Sequence, residues 1–374
     1  LVHSVTRLNL SPTQRYLLQA ALLPGDDALV AFDIWQKMAD LDNLGPGEYD
    51  LLPLLSLNLA RLDVVHPWLG RIDGVYRRTW YANQLLMAVL VETWSAFRAA
   101  RLSVLWAGSA AVAQVVTRKT AVSPLHTIEL IIPDQAVPRA WQLLHELGWQ
   151  TKPLTSHCPA AESRQWKSVQ RFKRAPHERL WLYWHAVPFV PCVELDRTMW
   201  AAAVPLALTD ELNALTLDPT DHLFRTLMTA AGGSLTALAW AACLLRQCDI
   251  DWLRLMSYSH ADQPVTSVHQ VLATLADLVT LPNIPDTLTA GRPANARFHE
   301  RREWAAATTP PSERGWGARF WLFYGRYRRM ATCLGVHPGP RSFLRYWQHA
   351  HHLPGRWAIP QDALRALRGV PGER

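Results

Sequence analysis

Apolar and polar positions follow two periods along this chain, and the change between them divides it into three stretches. Up to about residue 101 the spacing is helical. Ser11-Pro12-Thr13-Gln14 reads as a capping box with proline at the first helical position, so a helix is expected from Pro12 to about Leu23, stopped by Pro24-Gly25. Phe32 to Met38 and Leu51 to Leu62 continue the pattern, with Asn43 to Tyr49 as a turn. Tyr76 to Arg101 is the longest helix predicted, with Trp80, Leu85, Val89, Trp94 and Phe97 as its apolar stripe.

From 102 to 204 the period shortens. Val104 to Trp106 is a short apolar run, Ala107-Gly108-Ser109 a small-residue turn, Ala110 to Val116 a helix, and Thr127 to Ile132 alternates like a strand. Pro138 to Leu147 reads as a helix ended by Gly148. Arg179 to Val187 and Phe189 to Leu195 read as strands, the second confined to an edge by Pro188 and Pro191. From 205 the helical period returns. Asp218-Pro219-Thr220-Asp221 is a helix start, and helices are expected at Thr220 to Ala231, Leu235 to Gln247, Asp251 to Ser259 and Ser267 to Leu278. Pro282 to Pro311 is expected as a loop, followed by helices at Gly317 to Leu334, Arg341 to Ala350 and Gln361 to Arg368. The fold expected is α+β: a small mixed sheet at 102–204 between an N-terminal helical region, 1–101, and a C-terminal helical region, 205–374, with a basic aromatic end.

Composition narrows this picture. With 374 residues, 49% hydrophobic and 18% charged, the chain is globular rather than disordered. No uninterrupted apolar run reaches membrane-spanning length, and the first residues lack a basic stretch followed by an apolar core, so a cytoplasmic location is expected. The five cysteines form no C-x-x-C pair and are expected as reduced thiols. The net charge of +7 is concentrated in residues 292–374, which hold fifteen arginines against five acidic residues. Arg326, Arg328, Arg329, Arg341 and Arg345 alternate there with Phe320, Trp321, Tyr324, Tyr327, Phe343, Tyr346 and Trp347. That composition suits a nucleic-acid surface, and equally a helix with an aromatic inner face and an arginine outer face; packing is the reading taken, so nucleic acid is not expected as a partner.

Strand, glycine turn, helix and strand make a phosphate-handling arrangement. The amides of Gly108 and Ser109 would open a helix whose dipole favours an anion, and Thr127 and Glu129 share one face of the following strand. In these residues the chain resembles the bacterial nucleotidyltransferase family whose members have a polymerase-beta-like palm. The family's Lys-Gly turn corresponds to Ala107-Gly108, and its Arg-Pro-x-x-Asp-x-Asp strand to Ser123-Pro124-Leu125-His126-Thr127-Ile128-Glu129. A later Asp-Leu-His-Trp strand corresponds to Trp181-Leu182-Tyr183-Trp184, and the Asn83 region and Cys248-Asp249-Ile250-Asp251-Trp252 also fit the pattern.

The resemblance implies a bacterial protein with a nucleotide-binding palm in which Gly108, Ser109 and Thr127 face the nucleotide. It also implies that a member active in nucleotidyl transfer uses Mg2+ and a nucleoside triphosphate. Of its three carboxylate positions only Glu129 keeps a carboxylate, so Glu129 is the one catalytic and metal-binding candidate. Two ions need clustered carboxylates. The expectation is therefore a family member whose catalytic residues have degenerated, serving as a binding or accessory protein with a protein partner. The alternative is an active enzyme moving a nucleoside monophosphate to an unidentified acceptor, with Glu194 and Asp196 replacing the missing pair.

Other groups are weighed beside these. Lys167, Arg171, Lys173 and Arg174 are expected on a loop or hairpin beside the cleft. His185 is a candidate general base without a nucleophile placed with it. Asp251 is read as a helix cap rather than a metal ligand, and His349, His351 and His352 as a surface cluster rather than a zinc site.

Overall fold

The fold, obtained as a computed structural model, is described for residues 8–118, 122–151, 157–175, 178–188, 190–258, 265–281, 284–285, 298–309, 313–350, 353 and 359. It opens on α1 (Pro12–Leu22), α2 (Gly25–Met38), α3 (Pro46–Tyr49) and α4 (Leu52–Arg61), then the 31-residue α5 (Leu69–Ala99). The capping box forms as expected: Ser11 accepts from the Gln14 amide and the Gln14 side chain accepts from the Ser11 amide. The stripe expected on α5 needs correcting. Trp80 and Leu85 are 51% and 56% exposed, while Ile72, Thr79, Asn83, Leu86, Leu90, Thr93, Trp94 and Phe97 form the buried face. The reason is polar. Asn83 donates to the Ser123 carbonyl (2.8 Å) and accepts from the Leu125 amide (2.9 Å), which fixes the helix face that turns inward.

β1 (Leu105–Ala107) runs directly into α6 (Gly108–Thr117), and β2 (Ile128–Ile131) lies antiparallel to β1. α7 (Val137–Glu146) and the short α8 (Ala161–Gln165) follow, then β3 (Val169–Arg174) and β4 (Glu178–Tyr183), which pair antiparallel, with β4 parallel to β2. The segment expected as a strand at 189–195 instead carries the start of α9 (Val193–Ala201). Glu194 and Asp196 lie in its first turn, where a helix N-terminus favours negative charge. The sheet also reaches beyond residue 204. β5 (Val204–Ala207) and β6 (Asn213–Thr216) form a hairpin, and β6 runs parallel to β1, giving a mixed six-stranded sheet in the order β3-β4-β2-β1-β6-β5. Four-residue strands leave too short an alternation to stand out in the sequence, and Pro205 is tolerated because β5 is an edge.

α10 (Pro219–Ala230), α11 (Leu235–Gln247), α12 (Trp252–Ser257) and α13 (Val265–Leu278) follow. α14 (Phe298–Thr308) lies in the stretch expected as a loop: prolines flank it, but FHERREWAAAT holds neither proline nor glycine and buries Trp304. α15 (Trp316–Cys333) and α16 (Pro340–Ala350) complete the described chain, and the helix expected at 361–368 lies outside the described residues. The two faces of the sheet feed different cores. Leu105, Ala107, Ile131 and Tyr183 join the N-terminal helices with α10, α11 and α13, whereas Trp106, Ile128, Leu130, Phe172, Leu180 and Leu182 pack with α5 and α7. Among the described residues no helix is long and apolar enough to cross a membrane.

Candidate functional site

Strand register sets one row of residues across four strands. Ala107 of β1 lies opposite Glu129 of β2, Glu129 beside Trp181 of β4, and Trp181 opposite Arg171 of β3. Alternation sends Ile128 and Leu130 into the core with α5 and α7, which leaves Glu129 on the face toward α10. There Arg225 meets it. Nη2 donates to Glu129 Oε2 at 2.6 Å, Nη1 donates to the Ala186 carbonyl at 2.5 Å, and Cζ lies 4.4 Å from the centre of the Tyr183 ring. The two side chains are only 5% and 16% exposed, so this is a buried, bidentate use of arginine. Burial, and then the Glu129 charge, push the Tyr183 phenol well above the ordinary value.

Gly108 completes the enclosure. Its φ is +80°, and a Cβ there would lie 2.5 Å from both Cδ and Oε1 of Glu129. The glycine is thus required twice, by a left-handed backbone and by close approach of a carboxylate. Glu129 places its own carboxyl against the first turn of α6, where a phosphate was expected.

The other expected residues fall into separate places. Ser109, second in α6, and Thr127, just before β2, are half-buried. The 123–125 segment is held by Asn83, and His126 bonds to Asp50 at 2.9 Å, which raises its imidazole. Asp196 accepts from the Ala186 amide (2.7 Å) and pairs with His185 Nδ1 (2.7 Å). The Ala186 backbone therefore connects the two carboxylates indirectly, its amide donating to Asp196 and its carbonyl accepting from the Arg225 that pairs with Glu129. Glu194 points outward to Arg197. Asp251 caps α12 through the Arg254 amide, and Asp249 is exposed.

The basic residues divide as well. Arg174 pairs with Glu92 and Glu178, whereas Arg171 covers the Trp181 ring at 5.1 Å. The Lys167 amine donates to Gln170 at 2.6 Å and is lowered to about 8 by burial and by Arg171. At the basic end, Tyr327 and Tyr346 are buried and Arg329 is paired with Glu303, which is the packing arrangement; Arg326 is exposed. His349 bonds to Ser163, and His351 and His352 lie outside the described residues.

Sequence reasoning missed Arg225 and its neighbours on α10. Asp221 and His222 are fully buried, with Tyr258 donating to Asp221 Oδ1 at 2.7 Å and His222 Nε2 donating to Thr216 Oγ1 at 2.8 Å. An aspartate and an arginine four apart on a helix ordinarily read as a surface pair. Only the question of what neutralises a buried Glu129 would have pointed to Arg225.

The residues present do not fit a pair of magnesium ions. Trp181 offers no oxygen, Thr127 offers a neutral hydroxyl, and Glu129 already faces a guanidinium that would repel a cation. Among the described residues no group of three or more His, Cys, Asp or Glu side chains could hold a metal. Compared with family models, curated proteins and solved structures, the chain matches none.

Proposed function

We propose that this chain is a nucleotidyltransferase-like palm that no longer carries out metal-dependent nucleotidyl transfer and serves as a binding or accessory protein for a protein partner. The observation that carries this reading is the buried Glu129–Arg225 pair. The remaining carboxylate of the expected triad is neutralised inside the chain, and its row neighbour is Trp181. Support for the palm comes from the path of the chain: strand, glycine turn, helix and antiparallel strand, with the third motif strand parallel beside it. The carboxylates that could have restored an ion site are committed elsewhere, Asp196 to His185 and Ala186, Glu194 to Arg197.

The test is calorimetric titration of ATP and of GTP into the protein, with magnesium and then with EDTA, alongside an assay for pyrophosphate release. The expected result is no magnesium-dependent binding and no pyrophosphate. Magnesium-dependent binding with pyrophosphate release that disappears in Glu129→Gln would overturn the proposal.

A further inference from the structure

Residues 298–350 hold nine arginines and no lysine against three acidic residues, and packing uses only part of this set. Tyr327 and Tyr346 are buried beside Trp166, and Arg329 is closed off by Glu303. A second group of rings stays at the surface. Spaced four apart on α15, Trp316 stacks on Phe320 (5.5 Å between ring centres, 26° between planes) and Phe320 on Tyr324 (5.7 Å, 14°). Phe320 and Tyr324 are half-buried, and Trp316, at the head of the row, is 47% exposed. Trp321 joins this row to α14, where Phe298 is 57% exposed.

Cations accompany these rings without matching anions. The Arg302 guanidinium lies 5.3 Å from the centre of the Phe298 ring. Arg328 stands four residues beyond Tyr324 on α15, and its buried Nε has no hydrogen-bond partner among the described residues. Arg319 is exposed between Trp316 and Phe320 in sequence. The carboxylates that do pair with arginine here are engaged elsewhere, Glu303 with Arg329 and Glu162 with Arg345. None among the described residues pairs with Arg302, Arg319 or Arg328.

We propose that α14 and α15 carry a binding site for single-stranded nucleic acid, with bases stacking on Trp316 and Phe298 and phosphates meeting Arg302, Arg319 and Arg328. Every base has a flat face that an open ring can cover, and a guanidinium fork matches two phosphate oxygens. A duplex hides the base faces, so unpaired strands are preferred. An acidic peptide would satisfy the guanidiniums and leave the ring faces bare, which is why the stacked row decides for nucleic acid. The surface shares no residue with the Glu129–Arg225 pair and stands independently of the reading of the sheet.

The experiment is fluorescence anisotropy of labelled single-stranded oligothymidylate and oligouridylate titrated with the full chain, beside a duplex of equal length and polyglutamate. Single strands should bind most tightly, with log affinity falling against log salt at a slope of about −2, as about three phosphate contacts on a single strand give. Trp316→Ala, at an exposed position, should weaken single-strand binding about tenfold with an unchanged circular dichroism spectrum. Phe298→Ala reads the same stacking on the other helix should Trp316→Ala disturb the fold. Arg302→Ala should flatten the salt slope by about 0.7. No binding at low salt would overturn the proposal, as would a duplex or polyglutamate bound as tightly as the single strands. So would Trp316→Ala and Phe298→Ala proteins that both bind like the parent.

Discussion

Glu129 with Arg225 beside the sheet, and Glu303 with Arg329 in the C-terminal hairpin, are built from the same three residue types. Each is a buried glutamate–arginine pair, with Nη to Oε distances of 2.6 and 2.5 Å, and each glutamate lies against a glycine. A Cβ on Gly108 would come within 2.5 Å of the Glu129 carboxyl, and one on Gly325 within 2.0 Å of that of Glu303. The differences lie in reach and backbone. Residues 303 and 329 are close in sequence and join two packed helices, α14 and α15, whereas residues 129 and 225 are far apart and join a strand to a helix across the core. Gly108 has φ +80°; Gly325 lies within a helix. This chain therefore uses a glycine-backed ion pair as a packing device where no catalytic residue is expected. The same device at Glu129 is complete without a ligand, which favours the non-catalytic reading of the sheet face.

The comparison breaks first at Arg225. Removing one partner of a buried pair strands the other charge, at a cost of roughly 3 to 5 kcal/mol. Arg225→Ala should lose that much stability in urea unfolding. Pairing it with Glu129→Gln should return most of the loss, because no bare charge then remains. A single variant as stable as the parent would mean that Glu129 has another cation, and the enzyme reading would reopen.

Acid separates the two pairs next. On α10, burial raises the Asp221 carboxyl to about 6, and burial followed by the Arg225 cation lowers the His222 imidazole to about 3. For Asp221 the folded value lies above the unfolded value of about 3.9, so its contribution is complete below about pH 4 and is lost as pH rises through about 6. For His222 the folded value lies below about 6.5, so its contribution is complete above that pH and is lost as pH falls toward about 3. Between pH 6.5 and 4 the two oppose each other. Asp221→Asn removes the offset, so its stability loss from pH 7.5 to 4.5 should exceed the parent's by about 2 kcal/mol in urea titrations. Arg329 in the hairpin faces Tyr346 and Cys333, whose protons stay on through this range. Hydrogen exchange at pH 4.5 should accordingly loosen α10 before α15.

What the sequence revealed follows the range of the interactions. Caps and periodic runs are local, so the Ser11 and Asp251 caps, the bounds of α11 and the β1–α6–β2 unit were legible. That Gly108, Glu129 and Trp181 lie side by side was expected from the resemblance, and the strand register brings the three together. Arg225 was not legible: its role depends on a contact across 96 positions that no local spacing records. The inward face of α5 was misread for a related reason, since a buried asparagine bonding to a distant loop outweighs the apolar count.

The glycines sharpen the comparison further. Gly108→Ala must adopt a left-handed backbone, roughly 1 to 3 kcal/mol for a non-glycine residue, and must also displace the Glu129 carboxyl. Gly325→Ala displaces Glu303 alone, and gains back up to about 1 kcal/mol of helix propensity. Thermal unfolding should show the larger loss for Gly108→Ala. Equal losses would mean that displacing the carboxylate, not the backbone, dominates at both places.

The smallest expected effect concerns the two carboxylates of α9, which share one turn and differ in what they touch. Glu194 meets Arg197 on the surface, where both side chains are at least 70% exposed and water screens the pair. Asp196 is 17% exposed and holds two partners, His185 and the Ala186 amide, and the Ala186 carbonyl in turn receives Arg225. Glu194→Gln should leave the melting temperature unchanged. Asp196→Asn keeps an oxygen for the Ala186 amide and loses the charge that holds His185, so it should lower the melting temperature by about one to two degrees, as a loss of about 1 kcal/mol would in a chain of this size. If Glu194→Gln proved the more damaging, α9 would present Glu194 to a neighbour outside the described residues. The contrast between a committed inner carboxylate and an idle outer one would then reverse.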